Sequence, residues 1–407
     1  MTFGGLAHDE RLPAGALVGL RVVDLSRVLA GPYCGQLLGD HGAEVIKVEP
    51  PAGDDTRTWG PYMPDGRSAY YQAINRNKQN ICLDLSQPAG RRVLERLLED
   101  ADVVVENFKL GTMARWGFDY EGDLAPKFPR LIYCRITGFG VDGPLGGLPG
   151  YDAALQAYGG LMSVNGEPDR DPMRIGVPVV DMVTGIFAFS AILLALNERH
   201  TSGRGQLIDS TLLDTAITLL HPHSGGWLNN GVLPVRTGAA HPSIAPYETF
   251  TTRGGLLFVS AANNRQFEAL VGVLGQPMLI WDERFASNEA RLANVAQLRA
   301  ILSELFIDRD PELLSQELVK RGVAAAPVHD VAQALTTPQV EHRQTVVERD
   351  GYRGIASPIR LTRNPAATAV PPATQGQHTR TVMARLGFDE TEISELIAAT
   401  NRSWAPI

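Results

Sequence analysis

Cysteine is scarce in this chain: Cys34, Cys82 and Cys134 are the only three in 407 residues. An odd, widely spaced trio supplies neither a disulfide framework nor a thiolate zinc site. Their apolar or strand-like surroundings predict buried, reduced thiols. A positive surplus is missing too. The formal net charge is −8, which argues against a nucleic-acid binder or a basic membrane-surface protein, while a local basic patch can still hold a small anion. The first ten residues, MTFGGLAHDE, carry neither the basic nor the apolar block of a secretory signal. The longest apolar run, from Met182 to Leu196, is short for a membrane span and is broken by Thr184, Gly185 and Ser190. His221 and His223 are spaced like a metal pair, but no Cys or carboxylate joins them at ligand spacing, so no metal site is predicted. His41, His241 and His329 read as loop or packing residues. These absences together predict a soluble, cytoplasmic protein with no nucleic-acid and no membrane partner.

What is present is an ordinary globular balance, 44% hydrophobic and 20% charged, in a chain long enough for two or three domains. Residues 20–49 read as a strand, a helix and a second buried strand, half of a Rossmann-like unit. The turn between them, SRVLAGP at 26–32, is not G-x-G-x-x-G, so the nicotinamide or flavin fingerprint is missing and Glu49 is a weak ribose ligand. Residues 50–80 read as a loop ending in the polar, basic cluster 75–80, which is either a solvated turn or a grip for phosphates. Strands are predicted at 81–85, 101–105 and 131–136, with a helix opening near Pro88. In a parallel α/β sheet, ligands lie beyond the carboxyl ends of the strands. That is where Asn107 and Phe108 fall, while 137–140 leaves the end of the 131–136 strand as a Gly-rich loop, by itself a weak phosphate signal.

Residues 206–210 read as a short strand and 211–220 as a helix. Composition shifts near 221, and 221–226 reads as a hinge. A hairpin with its turn at 253–255, helices at 264–274, 292–306 and 310–320, and a strand at 325–329 predict a small α+β domain. The boundaries are then 1–224 for a large Rossmann-like domain, 225–335 for the small domain, and 336–407 for a segment that returns to complete the large one.

The chain reads as organised around 177–185, VPVVDMVTG. This segment reads as an extended arm, then Asp181, then the start of a buried helix. A carboxylate there sits where the helix dipole favours negative charge. From the segment alone, the plainer reading of Asp181 is an N-cap, because caps are common and catalytic aspartates are rare.

The matching words are 20–31 (LRVVDLSRVLAG), 42–49 (GAEVIKVE), 75–78 with 83–85, 102–111 (DVVVENFKLG), 135–144 (RITGFGVDGP), 150–152 (GYD), Asp181 with Gly185, and 201–206 (TSGRGQ). In their order and spacing the chain resembles, over nearly its whole length, the class III CoA-transferases, the CaiB/BaiF group. The resemblance implies an α/β fold, a Rossmann-like large domain plus a small α+β domain, in an interlocked homodimer. It implies that Asp181 is the nucleophile, working through an acyl-aspartyl anhydride and an aspartyl-CoA thioester. It also implies that Lys78, Asn107, Phe108 and Arg115 contact CoA and that Thr137 and Gly138 lie near the pantetheine arm. Coenzyme A thioesters are then substrates, and no cofactor is bound permanently. Chemically, an aspartate is ionised at neutral pH without a partner base. Lysine and arginine suit phosphates.

The departures bear on the reaction. Formyl-CoA transferases carry Gln where this chain has Leu29. The racemase branch needs a His as one of its two bases, where this chain has Tyr151, and a phenol, ionising at about 10, is a poor base. The stretch 171–174 resembles the dicarboxylate branch, with succinyl-CoA as the candidate donor. A distal carboxylate then needs a cation, for which Arg27, Arg57 and Arg174 are candidates by position. The alternatives are a 2-methylacyl-CoA racemase or epimerase, a non-catalytic acyl-CoA-binding protein, or a Rossmann oxidoreductase, the last disfavoured by the missing fingerprint.

Overall fold

In a computed structural model, which describes residues 15–367 and 369–402, six strands form one sheet. They are Arg21–Asp24 (β1), Glu44–Glu49 (β2), Lys78–Cys82 (β3), Val103–Glu106 (β4), Ile132–Thr137 (β5) and Leu207–Thr211 (β6). Their order is β3-β2-β1-β4-β5-β6 and every pair is parallel. β4 is a run of three valines and a glutamate buried throughout, as a strand covered on both faces requires. The order reverses between β1 and β4, and the crevice at such a switch point is where α/β sheets bind ligands. The N-terminal stretch read for a signal lies outside the described residues.

The chain divides into two compact units. One holds the described residues up to Gly159, then Gly176–His221 and those from Glu341 on; the other holds Gly160–Ile175 and Pro222–Val340. The second unit thus takes a piece, 160–175, that the sequence reading left in the large domain. Gly238 donates to the Gly166 carbonyl at 3.0 Å, and Arg236 to the Arg170 carbonyl at 2.8 Å, tying that piece to the rest of its unit. The segment 221–226, read as a hinge, instead opens the helix His223–Asn230. The second unit carries an antiparallel sheet of Tyr247–Thr252 (β7), Gly255–Ser260 (β8) and Ala324–Pro327 (β9). Its core gathers Phe250, Leu257, Phe267, Phe285, Leu302 and Phe306.

Two local readings are corrected. The cluster 75–80 is not a surface turn: β3 begins at Lys78, and Lys78 and Asn80 are buried. Its polar side chains are inside because partners wait there, Asp24 for Lys78 and Glu49 for Asn80. The arm before Asp181 is not extended to its end either. The helix runs Val179–Ser202, with Pro178 as its N-cap residue and Asp181 inside its first turn. At 24 residues it is long and apolar enough to cross a membrane by length and composition. One face, with Gly185, Ala188, Ile192 and Ala195, is buried. A side chain on Gly185 would meet the Ala30 carbonyl at 2.6 Å, so glycine there lets this helix lie directly on Ala30–Asp40.

Candidate functional site

A cleft opens at the carboxyl ends of β1, β4 and β5. Its lining includes Arg27, Val28 and Leu29 after β1, Asn107, Phe108 and Lys109 after β4, Thr137 and Gly138 at the end of β5, and Tyr151 and Asp181. All of these belong to the first unit. The sheet therefore brings Asn107, Phe108, Thr137, Gly138 and Asp181 together, although they are far apart in sequence.

The loop after β1 is held on consecutive residues. The Lys47 ammonium donates to the Ser26 carbonyl at 2.8 Å. The Asn107 amide takes the Arg27 N–H at 2.8 Å and gives its own N–H to the Arg27 carbonyl at 2.7 Å. Val28 then adopts φ 71°, a left-handed conformation that costs a β-branched residue on the order of 1–3 kcal/mol. Such strain persists only where the surroundings fix it, and the ties from Lys47 and Asn107 do so. Both of these Asn107 bonds are to the backbone of Arg27. Beneath this loop, Lys47 pairs with Asp54 at 2.9 Å, both fully buried.

Phe108 packs edge-on against Trp116, with centroids 5.3 Å apart, and the Arg27 guanidinium lies 5.7 Å from the Phe108 ring centre. Gly138 has no room for a side chain: a β-carbon would sit 2.6 Å from the Gly150 nitrogen. The two glycines thus seat the 147–151 loop directly on the end of β5, which brings Tyr151 and Asp181 into one cleft.

Asp181 is partly buried, and its first-turn position is not a cap. The cap comes from Asp152, the first residue of the helix Asp152–Tyr158. One Asp152 oxygen accepts the N–H groups of Val180, at 2.8 Å, and Asp181, at 3.1 Å. Gln156 donates to the other oxygen at 2.6 Å. Burial, and then the Asp152 charge, push the Asp181 carboxyl from its ordinary 3.8 up to about 7. Sequence reasoning missed Tyr70 in the helix Ala69–Ile74. Burial, then the Asp181, Asp152 and Asp54 charges, push its phenol up to about 12. Nothing in its local sequence marks it.

The predicted cations are sorted differently from expectation. Lys78 does not reach the cleft. Its ammonium is buried and spends three donors on Asp24 at 2.9 Å, the Pro32 carbonyl at 2.7 Å and Asn75 at 2.9 Å, which leaves none for a phosphate. Arg57 is spent too, on both oxygens of Glu49 at 2.7 and 2.9 Å and on the Tyr71 hydroxyl. Glu49 is thereby occupied and buried, and is no ribose ligand. Arg115 is exposed, donates to Thr112 at 3.1 Å, and lies outside the cleft lining. Arg174 belongs to the second unit. Arg27 and Lys109 line the cleft, and neither makes an ion pair among the described residues. The sequence signal for Lys109 is its place directly after Asn107 and Phe108. No group of three or more metal-ligating side chains occurs among the described residues.

The sequence model for CoA-transferase family III matches residues 17–379. A succinate–glutarate CoA-transferase from Agrobacterium fabrum is 42% identical, over 91% of this chain and 95% of its own length. A human succinyl-CoA:glutarate CoA-transferase is 38% identical, over 94% of this chain and 89% of its own. A crystal structure of a CaiB/BaiF family protein from Brucella suis superposes with a TM-score of 0.86 at 42% identity, covering 92% of this chain and 100% of that one.

Proposed function

The chain belongs to CoA-transferase family III and is a CoA-transferase, and from that premise we propose that it moves CoA between dicarboxylic acids with Asp181 as the nucleophile. The observation that carries this reading is a carboxylate on the first turn of a long helix, in one cleft with Asn107, Phe108 and Gly138. A carboxylate oxygen of Asp181 attacks the thioester carbon of an acyl-CoA, the C–S bond breaks, and CoA leaves as thiolate. The thiolate attacks the aspartyl carbon of the mixed anhydride and releases the donor acid. The acceptor carboxylate attacks the resulting aspartyl-CoA thioester, expelling thiolate again. Attack of that thiolate on the acceptor's acyl carbon yields the new acyl-CoA and the free Asp181 carboxylate. Each step exchanges one acyl bond for another, which is what covalent catalysis offers a slow direct exchange. A first-turn position also favours the negative charge that develops there.

Phe108 and Asn107 are assigned to the adenine end of CoA, Thr137 and Gly138 to the pantetheine arm, and Lys109 to the phosphates, with Arg115 at the outer edge. Succinyl-CoA is the assigned donor, on the names of the relatives. The enzyme works in the cytoplasm as a homodimer. Ile186, Phe187 and Leu194 form an exposed apolar stripe on the Val179–Ser202 helix, a face that a second copy would cover. The test of the nucleophile is to incubate the protein with succinyl-CoA, trap with hydroxylamine, and map the adduct by mass spectrometry. A hydroxamate at Asp181 supports the reading; a turning-over enzyme with Asp181 unmodified sinks it.

Arg27 is the cation we assign to the distal carboxylate of the acceptor. Arg27→Met should raise KM for glutarate by about tenfold, the worth of one charge-assisted pair, with a smaller change for a monocarboxylic acceptor. If instead only KM for acyl-CoA rises, Arg27 belongs to the phosphates.

A further inference from the structure

We infer that Asp152 is the positioning residue of this site: its carboxylate, and not that of Asp181, closes the start of the Val179–Ser202 helix and so keeps the Asp181 carboxylate free in the cleft. The inference rests on the reading of Asp181 as nucleophile. Asx side chains at helix starts ordinarily accept the N–H groups of the second and third helical residues. Here those residues are Val180 and Asp181, and the acceptor is Asp152, brought in from another helix. Pro178 stands at the N-cap position with no side-chain bond. Had a local Ser or Asp capped this helix, the same N–H groups would be satisfied without placing a second carboxylate beside the first. Had Asp181 itself been the cap, its oxygens would be spent on backbone.

Asp152 is built to hold this place. It is buried, and Gln156 fixes the oxygen that the backbone leaves open. A carboxylate held so close also acts by charge. After burial, Asp152 is the second cause that raises the Asp181 pKa to about 7. A carboxylate of higher basicity is a stronger nucleophile once ionised, provided the working pH lies near or above its pKa. The other titratable groups lining the same cleft are Asp55, Arg27, Lys109 and Tyr151, and Tyr70 lies near enough that Asp181 and Asp152 both raise its pKa.

Two substitutions separate the acceptor from the charge. Asp152→Asn keeps an oxygen for the N–H groups and loses the charge, so the acid limb of kcat/KM should move to lower pH by about half a unit or more. Asp152→Ala loses the acceptor as well, so kcat should fall by about tenfold or more below that of Asp152→Asn, with KM for acyl-CoA changed by less than about threefold. An unmoved acid limb in Asp152→Asn, or equal kcat in the two variants, overturns the inference. A measurement on the unsubstituted enzyme covers the case of a misfolded variant. With valine and aspartate labelled by nitrogen-15, the Val180 and Asp181 amides should be protected from exchange although they head a helix; fast exchange overturns the cap. Asp181→Asn runs alongside. If it still exchanges CoA, the nucleophile reading fails. If it is inactive while Asp152→Asn keeps the wild-type pH profile, only the role given to Asp152 fails.

Discussion

Asp181→Asn is expected to lose CoA exchange and to gain thermal stability in the same protein. The loss follows from chemistry. An amide oxygen does not open a thioester at a useful rate, and removing a nucleophile typically costs on the order of 10⁴-fold or more in kcat. The gain follows from electrostatics. Burial, then the Asp152 charge, raise the Asp181 pKa from 3.8 to about 7. In that interval the folded protein holds a proton that the unfolded chain has released, so stability falls as pH rises. Below about 4 both states are protonated and no cost remains; above about 7 the whole cost is present. A shift of roughly three units corresponds to at most about 4 kcal/mol. The carboxylate faces an open cleft where water screens it, which reduces this to about 1–3 kcal/mol. Thermal melts of the two proteins should therefore coincide near pH 4 and separate at pH 8, with Asp181→Asn the higher. Sites that carry chemistry are often locally destabilised in this way. A variant that keeps exchange activity, or one that melts lower at pH 8, contradicts the assignment.

Much of this was readable from residues, and what was not has one physical origin. Segments with β-branched cores between Gly and Pro breaks announce a parallel sheet, so β1 and β2 lie within the expected strand–helix–strand unit at 20–49, and β4 and β5 fall within two residues of the expected 101–105 and 131–136. Asn107 and Phe108 follow from the rule that ligands gather at strand ends, whereas Thr137 and Gly138 are named by the family resemblance. Asp181 is singled out by the family resemblance; its own segment points first to a cap, and in the structure the cap is Asp152. The cap rule looks for an oxygen next to the helix start, whereas the acceptor lies 28 positions away from Val180. Lys78 and β3 failed for the same reason. Lysine and asparagine read as surface until their partners are known, and Asp24 is 54 positions from Lys78. Local propensity locates elements; it does not locate buried polar partners, which the tertiary fold supplies. The segment 160–175 is a variant of this problem, since its bonds to Arg236 and Gly238, far along the chain, tie it to the second unit.

Lys78→Met is expected to cost the fold about 3–5 kcal/mol and to leave the affinity for acyl-CoA nearly unchanged in whatever protein remains folded. Asp24 is fully buried, and Lys78 is its only ion-pair partner among the described residues, at 2.9 Å. Removing the cation leaves a fully buried carboxylate without its counter-charge, which is the costly way to break a buried pair. The Pro32 carbonyl and the Asn75 oxygen lose a donor at the same time. Against a total stability of roughly 5–15 kcal/mol, that loss should lower the denaturation midpoint far enough to be seen directly in urea. A double variant, Asp24→Leu with Lys78→Met, removes both charges and should recover a large part of the deficit, because an apolar pair of similar volume carries no desolvation cost. A lysine that gripped phosphate would behave in the opposite sense, with stability kept, KM for acyl-CoA raised, and no recovery in the double variant. The two patterns share no outcome. The buried pair also fixes the end of β1 by way of Asp24 and Ser26, and the loop that follows carries Arg27 and the strained Val28 into the cleft. Loss of Lys78 should therefore lower kcat in the folded fraction by loosening that loop, which places its contribution in the support of the site and not in the contact with substrate.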